Sequence, residues 1–353
     1  MIKFICAALF AFVFIATASS GARADVASAY KGKTLTVYGP FSARGGYGAL
    51  SRVVAAHIVR HIPGQPRGVA KYMPGAGGLK QANYIYNVAP KNGLHIGLMY
   101  DGIPTAQVLH PNTGVKYDAR RFGVLGSINR GQFGVMVAFK STGVKTLDDA
   151  KRIQVITGST GTASAPHYVP EIMNSLLGTQ FKQIPGYKGT AQIFLAMERG
   201  ELTGMYGNYD TIAKRRPQWV KEGRLVFLAQ LGVGRDPLLP NVPSMQELAP
   251  NATDKAMFSL LAKSRILGKV FITPPGIPAH SLAALQKAFA ATMKDPAFKK
   301  VIRKIKKVVN PRTWQESMAL IAGTLDAKPE VVARVRKFVK PRKRKKKKKK
   351  KMN

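Results

Sequence analysis

Acidic residues are scarce in this chain: 17 Asp and Glu stand against 56 Lys and Arg, a formal charge of +39. With so few carboxylates, no pair is suggestively spaced for general acid–base work. Cysteine is scarcer still. Cys6 is the single one, which leaves no disulfide framework and no Cys–His cluster of the kind that binds zinc. Beyond the first eighteen residues no apolar run approaches the ~20 residues that span a bilayer. There is no G-x-S-x-G nucleophile elbow and no H-E-x-x-H. No G-x-G-x-x-G with a downstream acid occurs, and no Gly-Lys-Ser/Thr follows a glycine loop. His57 and His61 are four residues apart on a helical stretch, but no carboxylate completes a metal spacing. Hydrolase, zinc-enzyme and nucleotide-binding readings therefore lack their signatures, and neither metal nor cofactor is expected.

What is present begins at the N-terminus. Met1-Ile2-Lys3 is short and basic, Phe4 to Ala18 is apolar except for Thr17, and Ala22-Arg23-Ala24 offers small residues for cleavage. This pattern predicts an export signal over residues 1–24, cleaved after Ala24. Cys6 leaves with it. At the other end, Lys340 to Lys351 holds eleven basic residues. Lysines at that density repel one another and have nothing to bury, so 340–353 is expected to be a disordered tail. A field of this sign draws anions in general: small carboxylates, acidic envelope lipids or nucleic acid. Export and the lack of interleaved aromatics disfavour nucleic acid. An exported protein binding polyanions or acidic surfaces remains the alternative reading.

Between the termini, strand and helix signals alternate. Thr34 to Tyr38, Val69 to Tyr72 and Leu94 to Met99 read as strands. Leu50, Val53, Val54 and Ile58, then Leu79, Ala82 and Tyr86, fall at helical spacing. The rhythm restarts with Phe133 to Phe139, Ile153 to Thr157 and a helix closed by Gly178, and Leu225 to Leu231 is a further strand. Beyond Pro274-Pro275-Gly276 the signals are mainly helical. The βαβ rhythm predicts parallel sheets covered by helices. It divides into an α/β lobe of residues 25–128 plus about 230–339, and a second of 129–229. Three glycine-rich loops occupy the same strand-to-helix position: Gly45-Gly46-Tyr47-Gly48, Pro74-Gly75-Ala76-Gly77-Gly78 and Gly158 to Ser164. Each lets backbone amides approach an anion at a helix N-terminus, at the carboxyl ends of strands. Ser164 is placed to cap the following helix, with Pro166 in its first turn.

The loops sit within a wider pattern. His61-Ile62-Pro63-Gly64-Gln65-Pro66, Met73 to Gly78, Ala82 to Lys91, Gly186-Tyr187-Lys188-Gly189-Thr190, Gly200-Glu201-Leu202 and Pro274 to Pro278 join them. Together these resemble the substrate-binding receptors of tripartite tricarboxylate transporters, the Bug-type proteins, from about Lys33 to Lys306. The resemblance implies a two-lobed, type II-like Venus-flytrap fold in the periplasm. It implies no enzymatic activity, a small di- or tricarboxylate held between the lobes of a monomer, and delivery to membrane-embedded transporter subunits. By position it carries over ligand contacts at Ser42, Gly45, Gly46, Tyr47, Gly75 and Ala76 in the first lobe. In the second it carries over Gly161, Thr162, Ser164, Lys188, Gly189 and Thr190. Three positions depart from the family pattern: Gly48 stands where Asp is common, Tyr72 where Asn is common, and Asn92 where Asp is usual.

Overall fold

The computed structural model describes residues 26–109, 114–162, 164–305 and 307–339. The expected export signal, His110, Ala163 and the basic tail lie outside them. In chain order the first half carries β1 (Thr34–Gly39), α1 (Gly46–Ile58), β2 (Arg67–Tyr72), α2 (Leu79–Asn87), β3 (His95–Leu98), α3 (Ile103–Leu109) and β4 (Gly123–Ser127). The second carries β5 (Gly134–Phe139), β6 (Val155–Ser159), α4 (Ala165–Leu177), β7 (Phe181–Pro185), α5 (Thr190–Glu198), β8 (Gly204–Asn208), α6 (Tyr209–Arg215), α7 (Pro217–Lys221) and β9 (Leu225–Leu231). Then follow α8 (Ala252–Leu267), β10 (Val270–Thr273), α9 (Ala279–Lys294), α10 (Pro296–Lys304), α11 (Trp314–Leu325) and α12 (Pro329–Val339).

Two five-stranded sheets result, ordered β2-β1-β3-β10-β4 and β7-β6-β8-β5-β9. The expected two-lobed α/β architecture holds, with one correction: the sheets are mixed, not wholly parallel. β10 lies antiparallel between β3 and β4, and β5 antiparallel between β8 and β9. Each is the strand on which the chain arrives from the other half. It enters at the end where the parallel strands finish, and so runs against them.

Successive strand residues point to opposite faces, and the cores follow that period of two. Leu35, Val37, Ile96, Leu98, Leu125 and Phe271 pack on one face of the first sheet. Tyr38, Val124, Val270 and Ile272 pack on the other. In the second sheet Met136 and Ala138 face one core while Val135, Val137 and Phe139 face another. Strands buried on both faces carry near-continuous apolar runs, as in Gly134–Phe139, where every residue is buried. Truncating a fully buried ring here, such as Phe271, costs about 3–5 kcal/mol.

The C-terminal helices divide between the lobes, where the sequence reading gave the whole stretch to the first. Leu285 and Phe289 of α9 join the first sheet's core. Met257, Phe258 and Leu261 of α8, with Val332 and Val335 of α12, pack into the second sheet's core. Buried Asp254 fixes α8 to α12, accepting from Arg334 Nε at 2.6 Å and Nη2 at 3.0 Å. The two segments that cross between the sheets run side by side. Ile128 N donates to Lys269 O at 3.1 Å, and Lys269 N to Asn129 Oδ1 at 3.1 Å.

Candidate functional site

The parallel strands of both sheets end facing one another, and their loops meet. Ser42, beyond β1, donates its amide to Lys188 O beyond β7 at 3.1 Å. Gly77, before α2, donates to Thr160 O beyond β6 at 3.1 Å. The Tyr100 hydroxyl, beyond β3, accepts from Ala165 N at the start of α4 at 3.1 Å. Lys307 Nζ, just beyond α10, whose neighbours Ile305 and Val309 pack on the first sheet's core, lies 3.2 Å from Asp210 Oδ2 on α6. The lobes are thus closed on each other around a cavity of about 70 Å³. A water needs roughly 10–15 Å³ of such space, so the cavity suits a small molecule of a few heavy atoms.

Of the residues expected at the site, Tyr47, Gly189 and Thr190 line this cavity. Gly45 and Gly46 line a neighbouring space of about 70 Å³, rimmed by Arg44, Arg215 and Arg216 and reaching Thr190. Ser42 joins the two halves through its backbone, as above. Gly161 lies against Gly77 and Ala76. Gly75 and Ala76 sit at the loop's outer side, Ala76 exposed, and Thr162 is exposed. Lys188 turns an exposed side chain outward, while its amide is taken by Gln192 Oε1 at 2.7 Å. Ser164 holds the N-cap position of α4, but its hydroxyl donates to Gly161 O at 2.7 Å and makes no cap. The N-termini of α1, α4 and α5 all lack a side-chain cap.

Gly48 explains one departure from the family pattern. A Cβ there would lie 2.4 Å from the carbonyl oxygens of both Ser42 and Ala43. The loop folds back onto its own helix too closely for the more usual Asp.

The charged centre of the cleft escaped sequence reasoning. Asp101, 3% exposed, follows β3. Its Oδ2 accepts from Lys269 Nζ at 3.0 Å and lies 3.6 Å from Arg265 Nη1. Arg265 Nη2 also donates to Asn208 Oδ1. Asn208 Nδ2 donates to Gln132 Oε1 at 2.8 Å, and Gln132 Nε2 to Asp210 Oδ2 at 2.6 Å. Lys269 lies 4.5 Å from the Tyr47 ring centroid, a cation–π distance. Burial pulls the Lys269 ammonium below its ordinary range, opposed by the Asp101 charge. Burial pushes the Tyr206 hydroxyl up to about 12, and burial with the charge of Asp101 raises Tyr47 and Tyr100. All three are neutral phenols at physiological pH. The available signal was Asp101 itself, one of few acids and placed just past a strand's carboxyl end.

Ser159 Oγ and His167 Nδ1 lie 3.1 Å apart. Ser159 is fully buried and neither residue lines the cavity, so this contact joins β6 to α4.

The sequence matches the profile of the tripartite tricarboxylate transporter family receptor over residues 50–336. No curated protein sequence matches it. Among solved structures, the periplasmic binding protein BugD superposes with a TM-score of 0.68 at 21% identity, over 88% of this chain and 98% of BugD. MatC from Rhodopseudomonas palustris, solved with bound malate, gives 0.65 at 19% identity, over 87% and 99%. An R. palustris protein solved with adipate gives 0.64 at 21% identity, over 87% and 98%.

Proposed function

Because the chain belongs to the tripartite tricarboxylate transporter receptor family, we propose that it captures a small carboxylate between its lobes and delivers it to membrane-embedded transporter subunits. The observation that carries this reading is the closed cleft. It is small, formed by loops at the carboxyl ends of both sheets, and flanked by helix N-termini whose amides no side chain caps. Each such terminus presents unpaired N–H donors and roughly half a positive charge, which suits acceptor-only carboxylate oxygens. Solved structures of the same fold include one with bound malate and one with adipate.

In this reading the glycine loops at Gly45-Gly46 and Gly189-Thr190 supply backbone donors, and Tyr47 supplies a wall. The receptor works in the periplasm as a monomer after losing its leader, binding without catalysis. The test is calorimetry of C4 to C6 dicarboxylates, citrate and aromatic acids at physiological salt, where screening suppresses nonspecific attraction by the net charge. Saturable one-to-one binding of one of these acids is the expected result. Failure of the whole panel sinks the reading.

A further inference from the structure

The cavity holds a surplus of buried positive charge, and one of its donors is unused. Arg265 and Lys269 are each 5% exposed. Both converge on a single carboxylate oxygen, Asp101 Oδ2, at 3.6 and 3.0 Å. Asp101 is the one acid among the residues lining the cavity. The nearby Asp210 is already matched by Lys307 and Lys214. Two cations thus share one anion in a buried site, where an uncompensated charge is costly. Arg265 reaches Asp101 and Asn208 through its two terminal nitrogens, while its Nε–H is buried with no hydrogen-bond partner among the described residues. Beside it the Tyr206 hydroxyl is likewise buried and unpartnered, and both side chains line the cavity. Buried polar groups in native folds almost always find partners. An orphan N–H on a cation whose side chain lines a cavity is a candidate donor for an acceptor of negative charge.

We propose that Arg265 is the charged anchor of the ligand: its Nε–H donates to one free carboxylate of the bound acid, whose charge completes the Asp101–Lys269–Arg265 cluster. This inference rests on the receptor reading above and narrows it. The ligand carries at least one ionised carboxylate at the hinge end of the cleft, and the rest of the molecule lies along Phe41, Tyr47 and Tyr100. Charge-assisted hydrogen bonds to a guanidinium are about twice as strong as neutral ones. A backbone amide bonded to the same carboxylate is charge-assisted on one side only, whereas the anchor adds the attraction of a full opposite charge. Its place is also mechanical. Arg265 stands where α8 enters the crossing segment, and its carbonyl accepts from Gln132 N of the other crossing segment at 3.2 Å. A carboxylate seated there binds the hinge as well as the lobes.

The experiment combines calorimetry of succinate, malate, adipate and citrate with the ¹⁵N–¹H resonance of the Arg265 Nε–H, in the full mature chain and in Arg265→Gln. The expected result is that one acid binds the native protein and shifts the Nε–H signal. Arg265→Gln, still folded by its melting curve, should lose at least thirtyfold in affinity. The bound acid's monoamide should lose at least tenfold against the native protein but no more than threefold against Arg265→Gln, a coupling that a merely structural arginine would not produce. If an acid binds but Arg265→Gln stays within threefold, or the Nε–H signal does not move, the anchor is overturned while the receptor reading stands. If no acid binds, both fall together. If Arg265→Gln fails to fold, the resonance in the native protein decides alone.

Discussion

The amide of Gly77 donates to the carbonyl of Thr160 across the cleft at 3.1 Å, so backbone from the two halves touches directly where the loops meet. Gly161, next along, has φ of +142°, and a Cβ on it would lie 2.7 Å from Gly77 N. Gly161→Val therefore meets two obstacles, a disfavoured backbone conformation and a steric block to closure. The variant should still fold, because opening relieves the steric block, with a modest loss in melting temperature from the backbone strain at Gly161. Its affinity for the ligand should fall at least tenfold. Small-angle scattering should give a radius of gyration larger than that of the native protein. An unchanged radius and affinity would show that closure does not pass through this contact.

Restoring the residue common in the family at position 48 should harm this chain. Gly48→Asp places a Cβ 2.4 Å from two backbone oxygens, and overpacking of this kind costs typically 1–3 kcal/mol. The expected outcome is a lower chemical-denaturation midpoint than that of the native protein. A variant as stable as the native protein would mean that the loop at Ser42–Ala43 yields easily.

Lys307 and Asp210 form the cleft's partly buried ion pair, at 3.2 Å. Lys307→Met leaves Asp210 with Lys214 as its remaining cation, so no charge is stranded. The closed state loses about 1 kcal/mol, typical of a single partly exposed pair, which corresponds to roughly fivefold in affinity. Calorimetry in low and moderate salt measures it. Affinity equal to that of the native protein would remove Lys307 from any part in closure.

Acid should loosen the attachment of the last helix. Hydrogen bonds from Arg334 hold the Asp254 carboxyl below its ordinary value, against an opposing effect of burial. A carboxyl lowered in the folded state contributes stability that is complete above the unfolded value, near 3.9, and is lost as pH falls through the folded value. The melting temperature should therefore drop as pH falls below about 4. Arg334→Met should start lower at pH 7 and drop less across that window. Parallel pH profiles for the two proteins would show that this pair contributes nothing.

Much of the fold was legible because short β-branched and aromatic runs mark β1, β2, β3, β5, β6 and β9. The missed strands have local reasons. β8 reads Gly-Met-Tyr-Gly-Asn, with two glycines that weaken a strand signal. β7 ends in Pro185 at a sheet edge, and β10 has four residues before a proline pair. The antiparallel insertions leave no local mark, since β10 finds β3 and β4 far back in the chain. At the site, the glycine loops were visible as loops. Asp101, Arg265 and Lys269 were not, because their meeting is a product of folding. A basic pair four apart also carries no signal among 56 such residues.

The inserted strands have a consequence for how the chain is made. In the first sheet β4 has no strand neighbour except β10, which is translated about 140 residues later. Until Val270–Thr273 emerges from the ribosome, the edge of β3 and all of β4 expose unpaired backbone. The first lobe therefore cannot finish folding before the second has been synthesised, and such long-range pairing is slow. A fragment ending at Gly268 should accordingly remain protease-sensitive in its first half, and adding residues up to Pro278 should bring protection.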